Sequence, residues 1–451
     1  MLLLKNGTFI DWQTLEFTSV DILVEEGPDG GLRFVNPLAP DALPVRLAGS
    51  PGKSPLTPGP SPGGRGENPV PEIQRIIDCS GKFITKSFAN AHHHAYSALA
   101  RGMNPPKKDP QNFSEILQYI WWTLDKSLDR EIIRSSALVT AMACAKNGVT
   151  FVIDHHASPF AIDGSLEIIA EAFEAVGVNP LLCYEISDRD GLEIAEKGLN
   201  ETAAYLSKRE GVVGLHASFT VGEKTLKQAV DMAERTHSGI HVHVAEDLLD
   251  EKHCEQHYRK RVIERLSDAG VLKFPKSILA HCLHLNEQER KLVHDSPAWV
   301  VENMESNLNN SVGFFNSDGL GQRIMLGTDG MHSDMLRSAK AAFFAGHNFD
   351  AIDYHETYRR FRNIHNYLAS NNFSGDGENN LIVFDYDTPT PFNTGNFSGH
   401  FLFGLESKQI IHVVANGKLI VENHRLTTLD ENTILEMSRK QSLRLWSRMD
   451  K

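Results

Sequence analysis

From residue 81 to residue 329 the chain repeats one pattern, in which a short apolar run typical of a buried strand precedes a segment with helical spacing. The eight runs are FITKSFANAHHH, TFVIDHH, PLLCYEIS, VVGLHASF, GIHVHVAE, SILAHCLHL, AWVVENMESN and RIMLGTDG, and helical segments such as GSLEIIAEAFEAVG and EKTLKQAVDMAERTHSG separate them. They span about 240 residues from His92 to Asp329, close to the roughly 250 residues of a (β/α)8 barrel. A doubly wound open sheet is the alternative, but no glycine-rich phosphate loop follows the first strand. The sequence therefore predicts an α/β protein with a (β/α)8 TIM barrel.

Strand-like segments also lie at both ends of the chain, outside the predicted barrel. LLLKNGTFI, VDILVEEG and LRFVN come first, while NNLIVFDYDTPTPF and IIHVVANGKLIVENHRL follow the barrel, with NGK a predicted hairpin turn. We expect a small β-sandwich domain built from residues 1–80 and 376–451, ending in a final helix, around a barrel of residues 81–375. A Pro/Gly-rich insertion at about residues 49–72 has almost no large apolar side chains, so it cannot bury enough surface to fix one conformation.

Composition and charge exclude several classes of partner. The net charge of −13 and the pI of about 5.9 argue against nucleic acid and membrane as partners, because both require basic patches. Three leucines before Lys5 are too few for a signal peptide, and no apolar run reaches the length of a membrane span. The five cysteines are odd in number and lack CxxC spacing, which favours reduced thiols. We therefore expect a cytoplasmic protein with a small-molecule substrate, and a homo-oligomer, by default a dimer.

Polar side chains stand at the ends of four predicted strands, where barrel enzymes carry their active sites. They are His92 and His94 on the first strand, His241 or His243 on the fifth, His281 on the sixth and Asp329 on the eighth. The i, i+2 spacing of His92 and His94 places both imidazoles on one face of a strand, and the same spacing leaves His241 and His243 undecided. A packed core has no need of such groups at four strand ends, so the pattern predicts a metal site. Three histidines and one carboxylate suit Zn²⁺, with Fe²⁺ as the second choice.

The same residues indicate hydrolytic chemistry. A bound metal ion lowers the pKa of water to about 7. Asp329 is then placed to accept the proton of that water. Glu246, three residues after His243, is placed to deliver a proton to the leaving group. The alternative for Glu246 is a solvated acidic stretch, AEDLLDE.

Further side chains near the predicted strand ends are candidates for substrate contact. They are His216 on the fourth strand, His155 on the second, Trp121 in the segment after the first, and Ser306 and Asn307 after the seventh. The alternative for His155, Ser306 and Asn307 is a structural hydrogen bond, and for Trp121 it is a place in the core.

Five motifs together resemble the amidohydrolase superfamily, in its mononuclear deaminase and chlorohydrolase branch: NAHHHAYSALARG, HVHVAED, AHCLHLNEQE, SNLNNSVG and LGTDG. Within this superfamily, four segments look most like the SsnA-type aminohydrolases: WWTLDKSLD, VIDHHASPFAIDGSL, HVHVAED and SNLNNSVG. The resemblance implies the metal ligands His92, His94, His243 and Asp329. It also implies Glu246 as the proton shuttle, His281 as the residue that orients the attacking water, and His216 as a substrate contact.

The resemblance also bears on the number of metal ions. Two-metal amidohydrolases commonly bridge their ions through a carboxylated lysine on the fourth strand, and VVGLHASFT has no lysine, so we expect one ion. The chain departs from the family at Lys86-Ser87, where Pro-Gly is usual. It departs again at VENMESN, where relatives often carry His and Pro, and this second departure concerns the substrate pocket.

The predicted function is that of a zinc-dependent aminohydrolase, or deaminase. Metal hydroxide attacks an amidine-like carbon of an amino-substituted nitrogen heterocycle, and ammonia leaves. Within the same class, the alternatives are a metal-dependent cyclic amidohydrolase and a chlorohydrolase. From a different class, the alternative is a non-catalytic accessory or binding protein, which the resemblance links to selenium-dependent metabolism.

Overall fold

The computed structural model describes residues 1–28, 30–35, 46–47 and 72–450. The predicted Pro/Gly-rich insertion lies outside these residues, apart from residue 72. Seven described strands precede the barrel: β1 (Leu2–Ile10), β2 (Phe17–Val24), β3 (Leu32–Val35), β4 (Arg46–Leu47), β5 (Glu72–Ile73), β6 (Arg75–Asp78) and β7 (Phe83–Lys86). None of the helices in the described part of the chain has both the length and the apolar character needed to cross a membrane.

Eight parallel strands form the barrel: β8 (Phe88–His93), β9 (Val149–His156), β10 (Asn179–Tyr184), β11 (Val213–Ala217), β12 (Ile240–Val244), β13 (Ile278–His281), β14 (Trp299–Glu302) and β15 (Ile324–Leu326). Strands β8 to β10 make one parallel sheet, and β11 to β15 make a second. Single bridges between Ile186 and Leu215 and between His93 and Asp329 join the two sheets at both edges. The ring is therefore closed, and the predicted TIM barrel is confirmed.

Fourteen α-helices surround or follow these strands in the described residues. They are α1 (Phe113–Ile116), α2 (Trp122–Lys126), α3 (Arg130–Lys146), α4 (Ser165–Val176), α5 (Leu192–Leu206), α6 (Glu223–Arg235), α7 (Leu248–Tyr258), α8 (Val262–Ala269), α9 (Glu287–Asp295), α10 (Met304–Asn309), α11 (Met335–Phe349), α12 (Tyr354–Ser370), α13 (Phe397–Phe403) and α14 (Glu431–Met449). Helix α4 ends where Gly177 adopts the left-handed conformation, φ 96°. Helix α6 ends before the predicted Gly239, because His237 already takes a left-handed conformation, φ 51°.

The barrel interior is filled from two directions. Side chains from the strands, among them Phe151, Ile153 and Met325, pack together with Tyr367 and Leu368 of α12. The Tyr367 hydroxyl donates a hydrogen bond to the carbonyl of Lys276, which precedes β13. Helix α12 therefore closes the amino-terminal end of the barrel, and the polar groups lie at the carboxyl ends of the strands, where the apolar packing stops.

The two ends of the chain share a second sheet. Its last strands are β16 (Leu381–Phe384), β17 (Ile410–Ala415), β18 (Lys418–Glu422) and β19 (Arg425–Leu426), and the order is β19-β18-β17-β16-β7-β1-β2-β3 with β6 beside β1. The NGK turn between β17 and β18 has both Asn416 and Gly417 in left-handed conformation, as a tight hairpin requires. Ile382 and Val413 pack against the barrel, while Val383 belongs to a separate core. The described residues form one mixed sheet here, and the two-sheet sandwich stays a prediction.

Candidate active site

The predicted ligands converge at the carboxyl ends of the barrel strands. His92 and His94 come from the end of β8, His243 from β12 and Asp329 from the residues after β15. Asp329 Oδ1 lies 3.4 Å from His92 Nε2 and 3.0 Å from His94 Nε2, and His94 Nε2 lies 3.2 Å from His243 Nε2. Ligand atoms bound at about 2.0–2.1 Å to a tetrahedral zinc ion are about 3.3 Å apart. These three distances are close to the spacing between the ligand atoms of a tetrahedral zinc site.

The hydrogen bonds of two histidines show which ring nitrogens carry lone pairs. His94 Nδ1 donates to the carbonyl of His155 at 2.6 Å, and His243 Nδ1 donates to the carbonyl of His216 at 2.7 Å. Because a carbonyl can only accept, the Nε2 atom of each neutral ring carries a lone pair. These two lone pairs face each other across 3.2 Å, which is unfavourable unless a proton or a metal ion lies between them. The residues therefore fit a metal ion.

The third histidine has a buried partner. His92 Nδ1 lies 2.9 Å from His241 Nε2, and His92 Nε2 is buried with no hydrogen-bond partner among the described residues. Burial lowers the pKa of His92 to about 3, so the ring is neutral and its nitrogen is free to bind a cation. For the undecided pair of the fifth strand, the structure places His243 at the site and His241 behind His92.

The pKa of His94 is shifted in the opposite direction from that of His92. Burial alone would lower the pKa of His94, but its hydrogen bond and attraction to Asp329 raise the pKa to about 9. The same carboxylate that attracts a proton to Nε2 would attract a metal ion to the same lone pair, so the two compete. Asp329 Oδ2 points away from this pair and accepts a hydrogen bond from Ser306 Oγ at 2.5 Å.

Glu246 and His281 lie beside the ligand set. His281 Nε2 is 3.5 Å from Glu246 Oε2 and 4.0 Å from Asp329 Oδ2, and it is buried with no hydrogen-bond partner in the described part of the chain. His281 Nδ1 donates to Asn307 Oδ1 at 2.8 Å, which fixes the ring orientation. Burial raises the pKa of Glu246 to about 7, although Asn310 Nδ2 donates to its Oε1 at 3.4 Å. A carboxyl group with this pKa can both hold and release a proton near neutral pH.

Backbone strain is concentrated at the same strand ends. Four residues other than glycine adopt left-handed conformations there: Ala245 (φ 45°), His281 (φ 73°), Cys282 (φ 55°) and Asp329 (φ 51°). Such conformations cost about 1–3 kcal/mol each and persist only where the surroundings impose them. The Asp329 backbone N–H donates to the carbonyl of His92, and a ring nitrogen of His93 donates to the Asp329 carbonyl at 2.6 Å. His93 therefore holds Asp329 in place from the side of the strand that faces away from the ligands.

A pocket of about 610 Å³ opens beside the ligand set. Three of the five predicted substrate contacts line it, namely Trp121, His216 and Ser306, together with His94, His243, Glu246 and Asp329. His155 and Asn307 are not part of this lining: both are fully buried, His155 beside Glu185 and Asn307 behind His281. The structure gives these two side chains positions from which they orient other residues.

The sequence analysis did not identify Glu185, a charged residue in the pocket wall. Glu185 comes one residue after β10. Its Oε2 lies 3.2 Å from His155 Nδ1, and its Oε1 lies 3.9 Å from His216 Nε2. Burial alone would raise the pKa of Glu185, but His216 and His155 lower it well below its usual range. Its signal in the sequence was the same as that of the ligands, a polar residue at the end of an apolar run, PLLCYEIS.

The possible ligand atoms form two clusters, one of His92, His243, His281 and Asp329 and the other of His94, His155, Glu185 and His243. Because one imidazole lone pair binds one ion at a time, the two clusters cannot each hold an ion through His243. Asp329 Oδ1 lies near both His92 Nε2 and His94 Nε2, which favours one ion where the two clusters meet.

Comparison with known proteins identifies the family. The model of the Amidohydrolase family matches residues 83–366, more than half of the chain. The chain belongs to the amidohydrolase family. This amidohydrolase is 26% identical over 405 residues to a 5-methylthioadenosine/S-adenosylhomocysteine deaminase of Syntrophomonas wolfei subsp. wolfei, covering 85% of this chain and 91% of the relative. It is 27% identical over 378 residues to a 5'-deoxyadenosine deaminase of Methanopyrus kandleri, covering 79% and 85% of the two chains.

Solved structures share the fold of this amidohydrolase over nearly its full length. An adenosine deaminase from Xanthomonas campestris with bound zinc matches with a TM-score of 0.80 at 17% identity, covering 99% of this chain and 98% of the other. An atrazine chlorohydrolase from Arthrobacter aurescens, complexed with zinc, matches with a TM-score of 0.77 at 15% identity, covering 98% and 100%. The predicted resemblance to the deaminase and chlorohydrolase branch is confirmed.

Proposed function

We propose that this protein is a zinc-dependent aminohydrolase that removes an exocyclic amino group from a nitrogen heterocycle as ammonia. The observation that carries the proposal is that the predicted ligands His92, His94, His243 and Asp329 and the carboxyl group of Glu246, whose pKa is raised to about 7, line or adjoin one aromatic pocket. The names of the relatives, which are deaminases of adenosine-type compounds, support an aminopurine or a related ring as the substrate class.

His92, His94, His243 and Asp329 would hold one divalent ion. Three nitrogens and one carboxylate oxygen with tetrahedral spacing favour Zn²⁺ over Fe²⁺. When bound, this ion would act as a Lewis acid that lowers the pKa of water to about 7.

The proton transfers and the orientation of water depend on His281, Asp329 and Glu246. His281 Nε2 and Asp329 Oδ2 lie 4.0 Å apart, so both can orient the attacking water, and Asp329 can accept its proton. Water adds to the ring carbon and gives one proton to Asp329, while the ring nitrogen takes a proton from Glu246. The amino nitrogen then takes the proton held by Asp329, its bond to the ring carbon breaks and ammonia leaves, and the remaining hydroxyl proton returns to Glu246 as the carbonyl forms. The product carries a carbonyl group where the substrate carried the amine.

Other residues position the reacting side chains and the substrate. Ser306 donates to Asp329 Oδ2 and so keeps Oδ1 turned toward the histidines. Trp121 and His216 provide flat faces and a polar nitrogen along the pocket wall, which suit a planar heterocycle. His155 and Asn307 orient Glu185 and His281.

We also propose the division into a catalytic barrel and a smaller domain built from both chain ends. The pairing of β7 with β16 supports it, and because β7 lies within the second sheet, the boundary falls near residue 87 instead of residue 81. On this division, Lys86 belongs to the smaller domain, where its buried ammonium group binds the carbonyls of Asp376 and Gly377.

The test is ammonia release by zinc-reconstituted protein from aminated purines, pyrimidines, pterins and triazines. Asp329→Asn serves as the inactive control. Ammonia from one compound, absent in the control, would establish the deaminase and its substrate class. If metal is bound but no compound releases ammonia, the deaminase proposal is wrong. Mass spectrometry of the same reactions then detects ring opening or loss of chloride.

A further inference from the structure

Two buried polar atoms in the pocket wall have no hydrogen-bond partner among the described residues: Asp125 Oδ1 and Trp122 Nε1. Both residues belong to α2 and both line the pocket. Asp125 is only 1% exposed. Buried polar groups in proteins are nearly always hydrogen-bonded, so two unpartnered ones beside a ligand pocket call for an explanation. One of them is an acceptor and the other is a donor.

The other oxygen of Asp125 is already engaged. Asp125 Oδ2 accepts from Arg189 Nη2, and the Arg189 guanidinium lies 5.2 Å from the Trp122 ring centre. Arg189 Nη1 also lies 3.5 Å from Glu185 Oε1, and its Nε donates to Asp190 Oδ2 at 3.1 Å. These contacts fix the position of Asp125, so Oδ1 stays available.

The charges around Arg189 also decide which substrates the pocket can accept. Arg189 is the one Lys or Arg side chain in the described pocket lining, and three carboxylates, from Asp125, Glu185 and Asp190, surround it. Asp329 adds negative charge to the same lining. Apart from the proposed metal ion, an anionic substrate would meet no unpaired cation here and several carboxylates, which is unfavourable in a partly buried site.

We propose that Asp125 and Trp122 form a specificity pair that recognises an uncharged substrate carrying a hydrogen-bond donor next to an acceptor. Asp125 Oδ1 accepts the N–H or O–H of the substrate, and Trp122 Nε1 donates to the neighbouring oxygen or nitrogen. The two chemical sources of such an edge are a ring lactam and a pair of sugar hydroxyls. The inference rests on the proposed function, because it specifies the substrate of the same site.

Binding measurements test the pair separately from turnover. Zinc-reconstituted Glu246→Gln protein, whose kcat is expected to be about 10²- to 10⁴-fold lower, is titrated calorimetrically with three probes. Cytosine presents a lactam edge, 5'-deoxyadenosine presents two hydroxyls and no lactam, and adenosine 5'-monophosphate adds an anionic group. Ammonia release by the protein with Glu246 intact is measured in parallel with the same compounds.

Trp122→Phe removes the N–H and keeps the aromatic face. We expect it to weaken binding of the probe whose donor–acceptor edge contacts Trp122 by about 3- to 10-fold. Asp125→Asn is expected to weaken binding of the same probe by about 10- to 100-fold, because the amide oxygen stays with Arg189 and an NH2 group replaces the acceptor that faces the probe. The probe that responds identifies the source as lactam or hydroxyl pair. Adenosine 5'-monophosphate is expected to bind at least about 10-fold more weakly than 5'-deoxyadenosine.

Two matched controls separate recognition from structure. Asp190→Asn removes another carboxylate from Arg189, and Asp190 is not part of the pocket lining, so we expect a smaller loss than with Asp125→Asn. Trp446→Phe removes an indole N–H that donates to the carbonyl of Leu99 outside this pocket, and we expect unchanged affinity. Melting temperatures identify any variant that does not fold, and Trp122→Phe alone still tests the pair.

The inference is overturned if neither neutral probe binds, if Trp122→Phe binds both as tightly as the parent, or if Asp125→Asn weakens binding no more than Asp190→Asn. Equal binding of the monophosphate also overturns it. If the neutral probes bind and respond as expected but no ammonia is released, the recognition pair stands and the proposed deaminase function fails.

Discussion

One side of the pocket, which we call the strand side, is formed by His94, His243 and Asp329, with His92 buried behind them, and all four lie at or next to the ends of barrel strands. The other, the helix side, consists of Trp122 and Asp125 on the five-residue helix α2 and of Arg189 in the segment after β10. The strand side is fixed by the closed sheet and by hydrogen bonds that imidazole nitrogens donate to backbone carbonyls. The helix side is fixed by ion pairs between segments far apart in sequence.

This difference indicates that the two sides of the pocket have different functions. Strand ends hold reacting groups within the small tolerance that catalysis needs, whereas connecting segments can change without loss of the barrel. We therefore expect substitutions on the strand side to change metal binding and kcat. Substitutions on the helix side are expected to change KM and leave the metal in place.

The largest effect is expected from His243→Ala. The variant loses one ligand atom and leaves His94 Nε2 without the neighbour at 3.2 Å, so metal content and activity should both fall to background. Elemental analysis and ammonia release measure the two. A variant that keeps its metal would show that the strand side is not the metal centre.

The second-largest effect is expected from Glu246→Gln. It keeps the size of the side chain but cannot carry a proton, so kcat should fall by about 10²- to 10⁴-fold while metal content stays unchanged. Stopped assays over long incubations quantify the residual rate. A kcat within a few-fold of the parent would remove Glu246 from the mechanism.

A smaller loss is expected from His241→Ala, which deletes the group bonded to His92 Nδ1. Partners of this kind orient a ligand and raise its basicity, so metal affinity should fall by about 10- to 100-fold, with activity restored by excess zinc. Competition with a chelator gives the affinity. Complete and irreversible loss would instead indicate that His241 is itself a ligand.

The smallest effect is expected from Asp190→Asn on the helix side. It removes one of three carboxylates around Arg189, so KM should rise only a few-fold, with kcat and metal content unchanged. Steady-state kinetics separate these quantities. A drop in metal content would contradict the division between the two sides.

The strand side could be predicted from the sequence because strand periodicity and the position of strand ends determine it. His92 and Asp329 were found as polar residues that end apolar runs. The spacing could not separate His241 from His243, since i, i+2 residues share one face of a strand and differ only in depth. In the structure His241 is fully buried and His243 lies one layer nearer the pocket, 7% exposed.

The helix side could not be predicted because it depends on long-range pairing. Asp125 and Arg189 are 64 residues apart and meet only after the barrel has closed. Nothing in the local pattern of WWTLDKSLD distinguishes a buried acid in a pocket wall from a solvated one. The same reason explains Asn307, whose neighbour His281 lies 26 residues away.

The central claim is that the lone pairs of His94 and His243 share one metal ion with His92 and Asp329. The most direct test is metal content per chain together with X-ray absorption at the zinc edge of the reconstituted protein. We predict one ion per chain, bound by three imidazole nitrogens and at least one carboxylate oxygen, with the signal lost in His243→Ala. Two ions per chain, or a bound ion whose spectrum does not change in His243→Ala, would contradict the claim.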